Sequence, residues 1–356
     1  MNRQTLSILL FLAGLLLNGY STLLTHALFT ASLIVSAQDL YKWVVYLFYG
    51  GCPLSPLKCL ENACYSDEQA RRCGYLGFEV LDCRHGCYDL DEREYWARSL
   101  TLMSVAFTSG GEYIFVVKQG KMFIIAKRCA SSHGDVVSEL LRAREVLERG
   151  LELAGCSARR LKAVEVKNIL RPDFLKTAKV NMLRVFGTVA LTAALATRFP
   201  PLYVLLGLEL VALSDLRSEI YTVSQEGRER VYGLNESTVT FTYPSLRDVF
   251  TRARTNYLIA QSLSYLAVKL EPAPWDVASG LDAQAYRSYE FGTALDKLSI
   301  IHKSQKYFLA SRRKWERREP VFLATGLLMA TPETAHVYER MGLRFKPDIF
   351  ALKTLE

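Results

Sequence analysis

The chain has 356 residues, enough for two domains of ordinary size together with membrane elements. Half of the residues are hydrophobic and 22% are charged, which excludes both an intrinsically disordered chain and a transporter with many membrane spans. A formal net charge of +8 suits nucleic acid or an anionic membrane surface as a partner, and charge alone does not choose between the two.

The first element is an apolar segment over residues 5–37 that carries no acidic or basic side chain apart from His26. Such a segment is typical of one long transmembrane span, or of two short spans broken at Asn18 and Gly19. A cleaved secretory signal is the alternative, because Arg3 precedes the segment and small residues lie near its end. The apolar run is longer than the usual signal core, so we predict a retained N-terminal membrane segment within residues 1–50.

A cysteine-rich module is predicted over residues 51–100. It holds an even number of cysteines within 36 residues, which is typical of a module stabilised by disulfides. A zinc site is a weaker alternative, because no Cys-x-x-Cys pair occurs and Cys83-Arg-His-Gly-Cys87 is the nearest approach to ligand spacing. Reduced structural thiols are a third alternative. The cysteines concerned are Cys52, Cys59, Cys64, Cys73, Cys83 and Cys87.

An α+β subdomain is predicted over residues 101–178. Residues 113–117 and 122–126 are rich in β-branched and aromatic side chains, and Gly120 lies between them, so we predict a β-hairpin. An amphipathic helix follows, for which Asp135 is the predicted N-cap.

Two apolar runs near the middle of the chain, residues 185–196 and 202–213, are separated by Pro200 and Pro201. Paired prolines cannot continue a helix, so the chain should turn back there. We predict a membrane hairpin within residues 179–216, and the alternative is a buried helical hairpin in a globular core.

A second α+β subdomain is predicted over residues 217–356. Periodic apolar residues predict a helix over residues 246–270, and a continuous apolar run predicts a buried strand over residues 321–329. A short helix at residues 332–341 and a strand at residues 349–352 follow. The predicted fold is therefore a membrane-anchored α+β protein with an N-terminal transmembrane segment, a cysteine-rich module and a mixed domain interrupted by an apolar hairpin.

The flanking cations and the cysteines predict opposite sides of the membrane for the soluble parts of the chain. Lysine and arginine residues flank both apolar segments, so the positive-inside rule places residues 101–178 and 217–356 in the cytoplasm of a membrane-bound protein. Disulfides indicate an oxidising compartment instead. Intracellular disulfides of hyperthermophiles would reconcile the two observations.

A basic run with one aromatic residue lies near residue 315. Its cations can neutralise phosphates and its indole can stack on a base, which predicts a nucleic-acid site. A solvated helix end is the alternative. The residues of this run are Arg312, Arg313, Lys314, Trp315, Arg317 and Arg318.

The order of these elements resembles a known family. A β-hairpin, an amphipathic helix, an apolar hairpin and a strand–helix–strand over residues 110–352 resemble the N-terminal, non-motor region of conjugative type IV secretion motor ATPases, in particular their archaeal DNA-transfer members. No G-x-x-x-x-G-K-[ST] loop occurs, so the resemblance implies a membrane-docking subunit without ATPase activity that works beside a separate motor.

Residues 287–295 and 336–343 together resemble the acetyl-CoA loop and terminal helix of GNAT acetyltransferases. Glu290 stands where that family has a phosphate-cradling glycine.

Taken together, the sequence predicts first a non-catalytic, cofactor-free component of a DNA-transfer or secretion machine with protein partners. The alternatives are a membrane-linked protein with a disulfide-stapled ectodomain, and an acyltransferase.

Overall fold

A computed structural model describes residues 3–18, 20–60, 62–68, 71–83, 111–153, 156–223, 229–240, 265–280, 283, 321–340 and 345–356. The chain divides into two compact units, and each is made of two separate stretches of sequence. Residues 1–56 and 174–224 form the helical unit, and residues 57–173 and 225–356 form the sheet unit.

The described elements follow one another along the chain in this order: α1 (Arg3–Leu16), α2 (Thr22–Val35), α3 (Ala37–Tyr49), β1 (Cys52–Leu54), β2 (Lys58–Leu60), β3 (Ala63–Glu68), β4 (Arg71–Cys83), β5 (Glu112–Lys118), β6 (Lys121–Ala130), α4 (His133–Leu153), β7 (Cys156–Arg160), α5 (Ala163–Leu170), β8 (Leu175–Thr177), α6 (Met182–Ala196), α7 (Leu202–Leu213), β9 (Glu219–Val223), β10 (Arg230–Thr240), β11 (Tyr265–Pro272), β12 (Val321–Ala330), α8 (Pro332–Arg340) and β13 (Phe345–Pro347). Short 3₁₀ helices occupy Ser214–Arg217 and Ile349–Leu355.

The helical unit consists of two antiparallel helical hairpins, α1–α2 and α6–α7, with α3 and a small sheet at one end. The side chain of Ser21 caps α2 and that of Asn181 caps α6, each by accepting a hydrogen bond from a backbone N–H of the first turn. Gly50 adopts a left-handed conformation and ends α3. Strands β1, β9 and β8 then pair in that order as a three-stranded antiparallel sheet.

The sheet unit is organised around one large antiparallel sheet of ten strands. The strands lie in the order β13-β10-β12-β11-β5-β6-β4-β3-β2, and β7 also pairs with β4. In the centre of the sheet, the directly paired strands β11 and β5 are about 150 positions apart in sequence. Most of its interior positions are apolar on both faces, which accounts for much of the continuous burial of β5, β6 and β11, although Lys127, Arg128 and Lys269 are buried there as well.

Helices cover the two faces of this sheet. Helix α4 packs on one face so closely that a Cβ at Gly74 would meet the side chains of Leu140 and Val136. Helix α5 packs on the other face, where a Cβ at Gly77 would meet Leu161 just before it. The C-terminal 3₁₀ helix packs against β10, β11 and β12.

The predicted fold with transmembrane spans is wrong, although the described part is a mixed α+β structure with a large antiparallel sheet. Among the described residues no single helix is long and apolar enough to cross a membrane, although α2 and α3 pass as a pair bent by 71°. The predicted N-terminal transmembrane segment is two helices of 14 residues, each about 21 Å long against a hydrocarbon layer of ~30 Å. They separate at residues 17–21, because Asn18 and Gly19 disfavour helix and Ser21 starts a new one.

The structure confirms some local predictions and corrects others. The β5–β6 hairpin, the buried strand β12 and helix α8 lie where the sequence predicts them. Residues 265–270 form strand β11 rather than the end of a helix, and residues 246–264 lie outside the described part. Ser132, not Asp135, caps α4, since its hydroxyl accepts a hydrogen bond from the Asp135 N–H.

Candidate functional site

The outward surface of the helical unit is apolar around most of its circumference. On α1 the exposed side chains occupy adjacent positions, so they cover more than one side of the helix. Large exposed side chains continue along the other helices of both hairpins. They include Ile8, Leu9, Phe11, Leu12, Leu15, Leu16, Leu23, Leu24, Ile34, Leu183, Phe186, Leu191, Leu195, Tyr203, Leu210 and Val211.

The inward surface of the same unit carries polar side chains that bond between helices. The Ser7 hydroxyl lies 3.0 Å from the Ser32 hydroxyl and joins α1 to α2. The Thr192 hydroxyl on α6 donates to Glu209 Oε1 on α7 at 2.8 Å, and Glu209 is only 1% exposed. Polar groups inside and leucines outside are the reverse of the distribution expected for helices surrounded by water.

Both hairpin turns lie at the same end of the helical unit. Phe199, in the turn between α6 and α7, lies 5.3 Å from the ring of His26 and 5.7 Å from the ring of Phe29. Both of these rings belong to α2, whose first residue follows the α1–α2 turn. We call this end the tip. Gly14 of α1 packs directly against the Phe29 ring, which holds the first hairpin close.

The opposite end, which we call the base, exposes aromatic side chains. Helix α3 leaves α2 there at 71° and buries Val45 and Phe48. It exposes Trp43 and Tyr46 by more than half. Indole and phenol rings on one exposed face are typical of residues at the boundary between lipid and water.

Cations surround this base. Lys42 of α3, Lys176 of β8, Lys179 and Arg184 near the start of α6 all have exposed side chains. Tyr49 ties α3 to the base end of α7 by donating a hydrogen bond from its hydroxyl to the Ala212 carbonyl at 2.6 Å. The aromatic residues and the cations thus lie at the end of the helical unit away from the tip.

The sheet unit contains a second polar feature, a row of charges across strands β3, β6, β5 and β11, in which the two lysines are largely buried and the glutamates range from 15% to 41% exposed. Lys127 Nζ lies 2.8 Å from Glu68 Oε2 and 3.2 Å from Glu112 Oε2. Lys269 Nζ lies 3.2 Å from the same Glu112 oxygen and 2.5 Å from Glu271 Oε1. Only 5% of the Lys127 side chain is exposed.

Each charge in this row has partners that offset the loss of water. Burial alone would raise the pKa of Glu68, but the Lys127 ammonium and hydrogen bonds from Lys127, Ser66 and Tyr75 outweigh it, so that pKa lies below its usual value. Burial alone would lower the pKa of Lys269, and the Glu112 and Glu271 carboxylates reverse that effect and raise it. Burial, together with the neighbouring Glu68 charge, raises the pKa of the Tyr75 phenol well above its usual value.

One described disulfide lies within the predicted cysteine module, and a second joins the module to Cys129 beyond it. Cys59 bonds to Cys64 between β2 and β3, and Cys73 bonds to Cys129 between β4 and β6. Cys156, outside the predicted module, is also disulfide-bonded, and its backbone pairs with that of Cys83. Cys52 is buried as a thiol in the helical unit. Cys87 and the predicted nucleic-acid residues 312–318 lie outside the described residues.

Sequence patterns missed the buried charges and the partner of Cys73. Lys127 and Lys269 belong to strands whose alternation gives no sign that a lysine points inward. Cys129 stands 56 positions from Cys73, so spacing offers no signal for their pairing. The Lys127-Arg128-Cys129 triplet at the end of an apolar strand is the one sequence feature that could have directed attention there.

Comparison with known proteins gives no assignment. The sequence matches no protein-family model and no curated protein.

Proposed function

We propose that the protein binds a lipid bilayer through the apolar outer surface of its helical unit and holds the disulfide-stapled sheet unit at that membrane. The observation that carries this proposal is the reversed distribution of polarity: leucines face outward, whereas Glu209 and Thr192 bond to each other inside. In lipid, helices associate through small and polar residues, because apolar side chains gain nothing by leaving hydrocarbon. Lipid is therefore the occupant that this surface fits.

The mode of docking is insertion from the tip. The hairpin helices of 12 to 15 residues are about 18–22 Å long, more than one hydrocarbon leaflet of ~15 Å and less than a bilayer. Trp43 and Tyr46 would then lie at the level of the headgroups. Arg198 at the tip opposes this insertion, and its long aliphatic stem lets the guanidinium reach towards water.

The test places charge on the outer surface. We take the Leu191→Asp, Leu210→Asp double variant, whose two sites are more than half exposed on α6 and α7. An aspartate at the centre of a membrane helix costs about 3 kcal/mol, so binding to phosphatidylcholine vesicles containing phosphatidylserine should fall at least tenfold in a flotation assay. The matched control is Leu141→Asp on α4 of the sheet unit, a site 49% exposed, which should leave flotation unchanged.

Three results would contradict the proposal. The double variant could float as well as the parent, or the control could lose as much binding as the double variant. A parent that is monodisperse without detergent and stays at the bottom of the gradient would show that another copy, or the fold itself, covers this surface.

The base cations give the proposal a second, independent test. Each cation near an anionic membrane surface contributes about 1 kcal/mol, so replacing Lys176, Lys179 and Arg184 by Gln should weaken binding to vesicles with phosphatidylserine. Binding to vesicles of phosphatidylcholine alone should not change. Equal weakening on both kinds of vesicle would show that the cations act on folding instead.

The DNA-transfer role stays a prediction. It rests on the basic run at residues 312–318 and on a resemblance in element order, and that run lies outside the described residues. Duplex binding that weakens with salt, and loses salt dependence when the five cations are replaced by Gln, would support it. The acyltransferase alternative rests on residues 287–295, also outside the described part, and on residues 336–343, of which 336–340 belong to α8. Acetyl-CoA titration tests it.

A further inference from the structure

Apart from the length of the loop that each closes, the two described disulfides differ in one respect. Each joins residues directly opposite each other on neighbouring antiparallel strands, with Cα atoms 4.0 Å apart. The difference is the surroundings of the Cys73–Cys129 bridge. Both sulfurs and a carboxylate oxygen of Glu68 lie within 4.8 Å of one another, and no other three potential metal ligands lie so close together among the described residues.

We propose that reduction of the Cys73–Cys129 disulfide creates a binding site for a thiophilic divalent cation, with Zn²⁺ as the natural candidate, formed by Cys73, Cys129 and Glu68. Two thiolates and a carboxylate are ligands that zinc takes, and three protein ligands leave a fourth position for water. This site differs from the lipid-docking surface and does not depend on it.

The chemistry balances with an external dithiol as reductant. The dithiol supplies two electrons and two protons, the S–S bond breaks to give two thiols, and the dithiol becomes a disulfide. Binding of the cation then displaces one proton from each thiol. The three ligands carry three negative charges, which the divalent cation and the Lys127 ammonium together neutralise.

The geometry requires only side-chain movement. With Zn–S bonds of about 2.3 Å at the tetrahedral angle, the two sulfurs would lie about 3.8 Å apart, a separation that rotation of two cysteine side chains can reach. The strands stay paired, because Cys73 and Cys129 are already in register.

Lys127 does not block the site. Its ammonium has Glu112 Oε2 at 3.2 Å as a second carboxylate partner, so it stays paired if Glu68 turns one oxygen to a cation. Cys73 is buried, whereas Cys129 is accessible to solvent, which gives the reductant and then the cation a route to the bridge.

The experiment titrates the full chain with Co²⁺, a spectroscopic substitute for zinc. The protein is reduced, freed of reductant without oxygen, and compared with the untreated disulfide form. The reduced parent should bind one Co²⁺ with the intense near-ultraviolet band of cobalt–thiolate bonds, and the oxidised parent should show no such band. Glu68→Gln should weaken binding about tenfold or more while keeping the thiolate band.

Two double variants decide where the cation binds, because other cysteines are reduced as well. Cys73→Ser, Cys129→Ser should lose the cobalt–thiolate band, whereas Cys59→Ser, Cys64→Ser should keep it. Equal binding by the first variant and the parent would overturn the proposal, as would parent-like affinity in Glu68→Gln. A reduced parent that keeps its circular dichroism spectrum and binds no Co²⁺, or that loses both the spectrum and binding, would also overturn it.

Discussion

The helical unit and the sheet unit bury polar side chains for different reasons. In the helical unit the buried polar groups that the structure describes are hydroxyls and one carboxyl, Glu209, while leucines face outward. In the sheet unit the interior is apolar around a row of full charges, and each of Lys127 and Lys269 has carboxylates within 3.2 Å. In the helical unit, buried polar groups form hydrogen bonds between helices. In the sheet unit, carboxylates compensate for the lysines that the strands place in the interior.

Because of this difference, the average composition of the chain describes neither unit. A chain that is 50% hydrophobic and 22% charged has an ordinary composition as a whole. Its charges are nevertheless concentrated in the sheet unit, and residues 5–37 of the helical unit hold no Asp, Glu, Lys or Arg. We infer that the two units are built for different surroundings, and the following experiments test that inference.

The largest expected effect comes from the disulfides of the sheet unit. In the chain-entropy description, a bridge between residues 56 positions apart stabilises by about 4 kcal/mol and one between residues 5 positions apart by about 2 kcal/mol. Cys73→Ser, Cys129→Ser should therefore lower the free energy of unfolding about twice as much as Cys59→Ser, Cys64→Ser. Urea unfolding of both double variants measures the difference.

This prediction also separates the two units. Neither double variant should change vesicle flotation, since all four cysteines belong to the sheet unit. Loss of flotation in either variant would mean that the helical unit depends on the fold of the sheet unit. Equal losses of stability in the two variants would contradict the loop-length argument.

The next effect tests the row of charges. Lys127→Met removes the ammonium beside Glu68, whereas Glu112 keeps Lys269 at 3.2 Å. The change should cost about 3 kcal/mol, because the largely buried Glu68 carboxylate is left without its cation. The control is Arg142→Met, which breaks an exposed pair with Glu139 and should cost less than about 1 kcal/mol. Similar losses in both variants, measured by urea unfolding, would show that the row is not effectively buried.

The sheet unit should also lose stability in acid, by less than the loss caused by removing Lys127. Because the pKa of Glu68 is lower in the folded protein, the folded state binds fewer protons, and the ionised carboxylate stabilises the fold. That contribution is complete above the unfolded glutamate pKa of about 4.3 and disappears as pH falls through the lower folded pKa. Glu68→Gln should flatten this part of the curve of unfolding free energy against pH, and an unchanged slope would contradict it.

Local features of the fold could be predicted from the sequence, because they depend on the pattern of apolar and turn-forming residues within a short stretch of chain. The turn at Gly120 and the alternation around it are sufficient for the β5–β6 hairpin. The apolar run at residues 321–329 is sufficient for β12. Residues 265–270 were assigned to a helix, because a short apolar run that is buried on both faces carries no period of its own.

The candidate sites could be predicted only in part. Hydropathy identified the apolar segments of the helical unit, and Pro200 and Pro201 predicted the turn between α6 and α7. Hydropathy left open whether residues 5–37 form one long span or two short helices. Glu68, Cys73 and Cys129 lie close together because β4 pairs with β6. The spacing of the cysteines in the sequence does not reveal which distant strands pair. The assembly of one unit from two separate stretches, residues 1–56 and 174–224, could not be predicted either, because it also depends on contacts between distant parts of the chain.

The smallest expected effect tests the interior of the helical unit. Thr192→Val keeps the shape of the side chain and removes the hydroxyl that donates to Glu209. Hydrogen bonds between helices in lipid contribute about 0.6 kcal/mol on average and up to about 1.7 kcal/mol, so we expect a loss in this range. The matched control is Thr188→Val on the same helix, where the hydroxyl bonds to the Arg184 carbonyl one turn earlier and joins no second helix. Unfolding in detergent micelles should therefore show a measurable loss for Thr192→Val and almost none for Thr188→Val. Equal effects would mean that the Thr192–Glu209 bond does not hold α6 to α7, and the contrast between the two units would then rest on the outer surface alone.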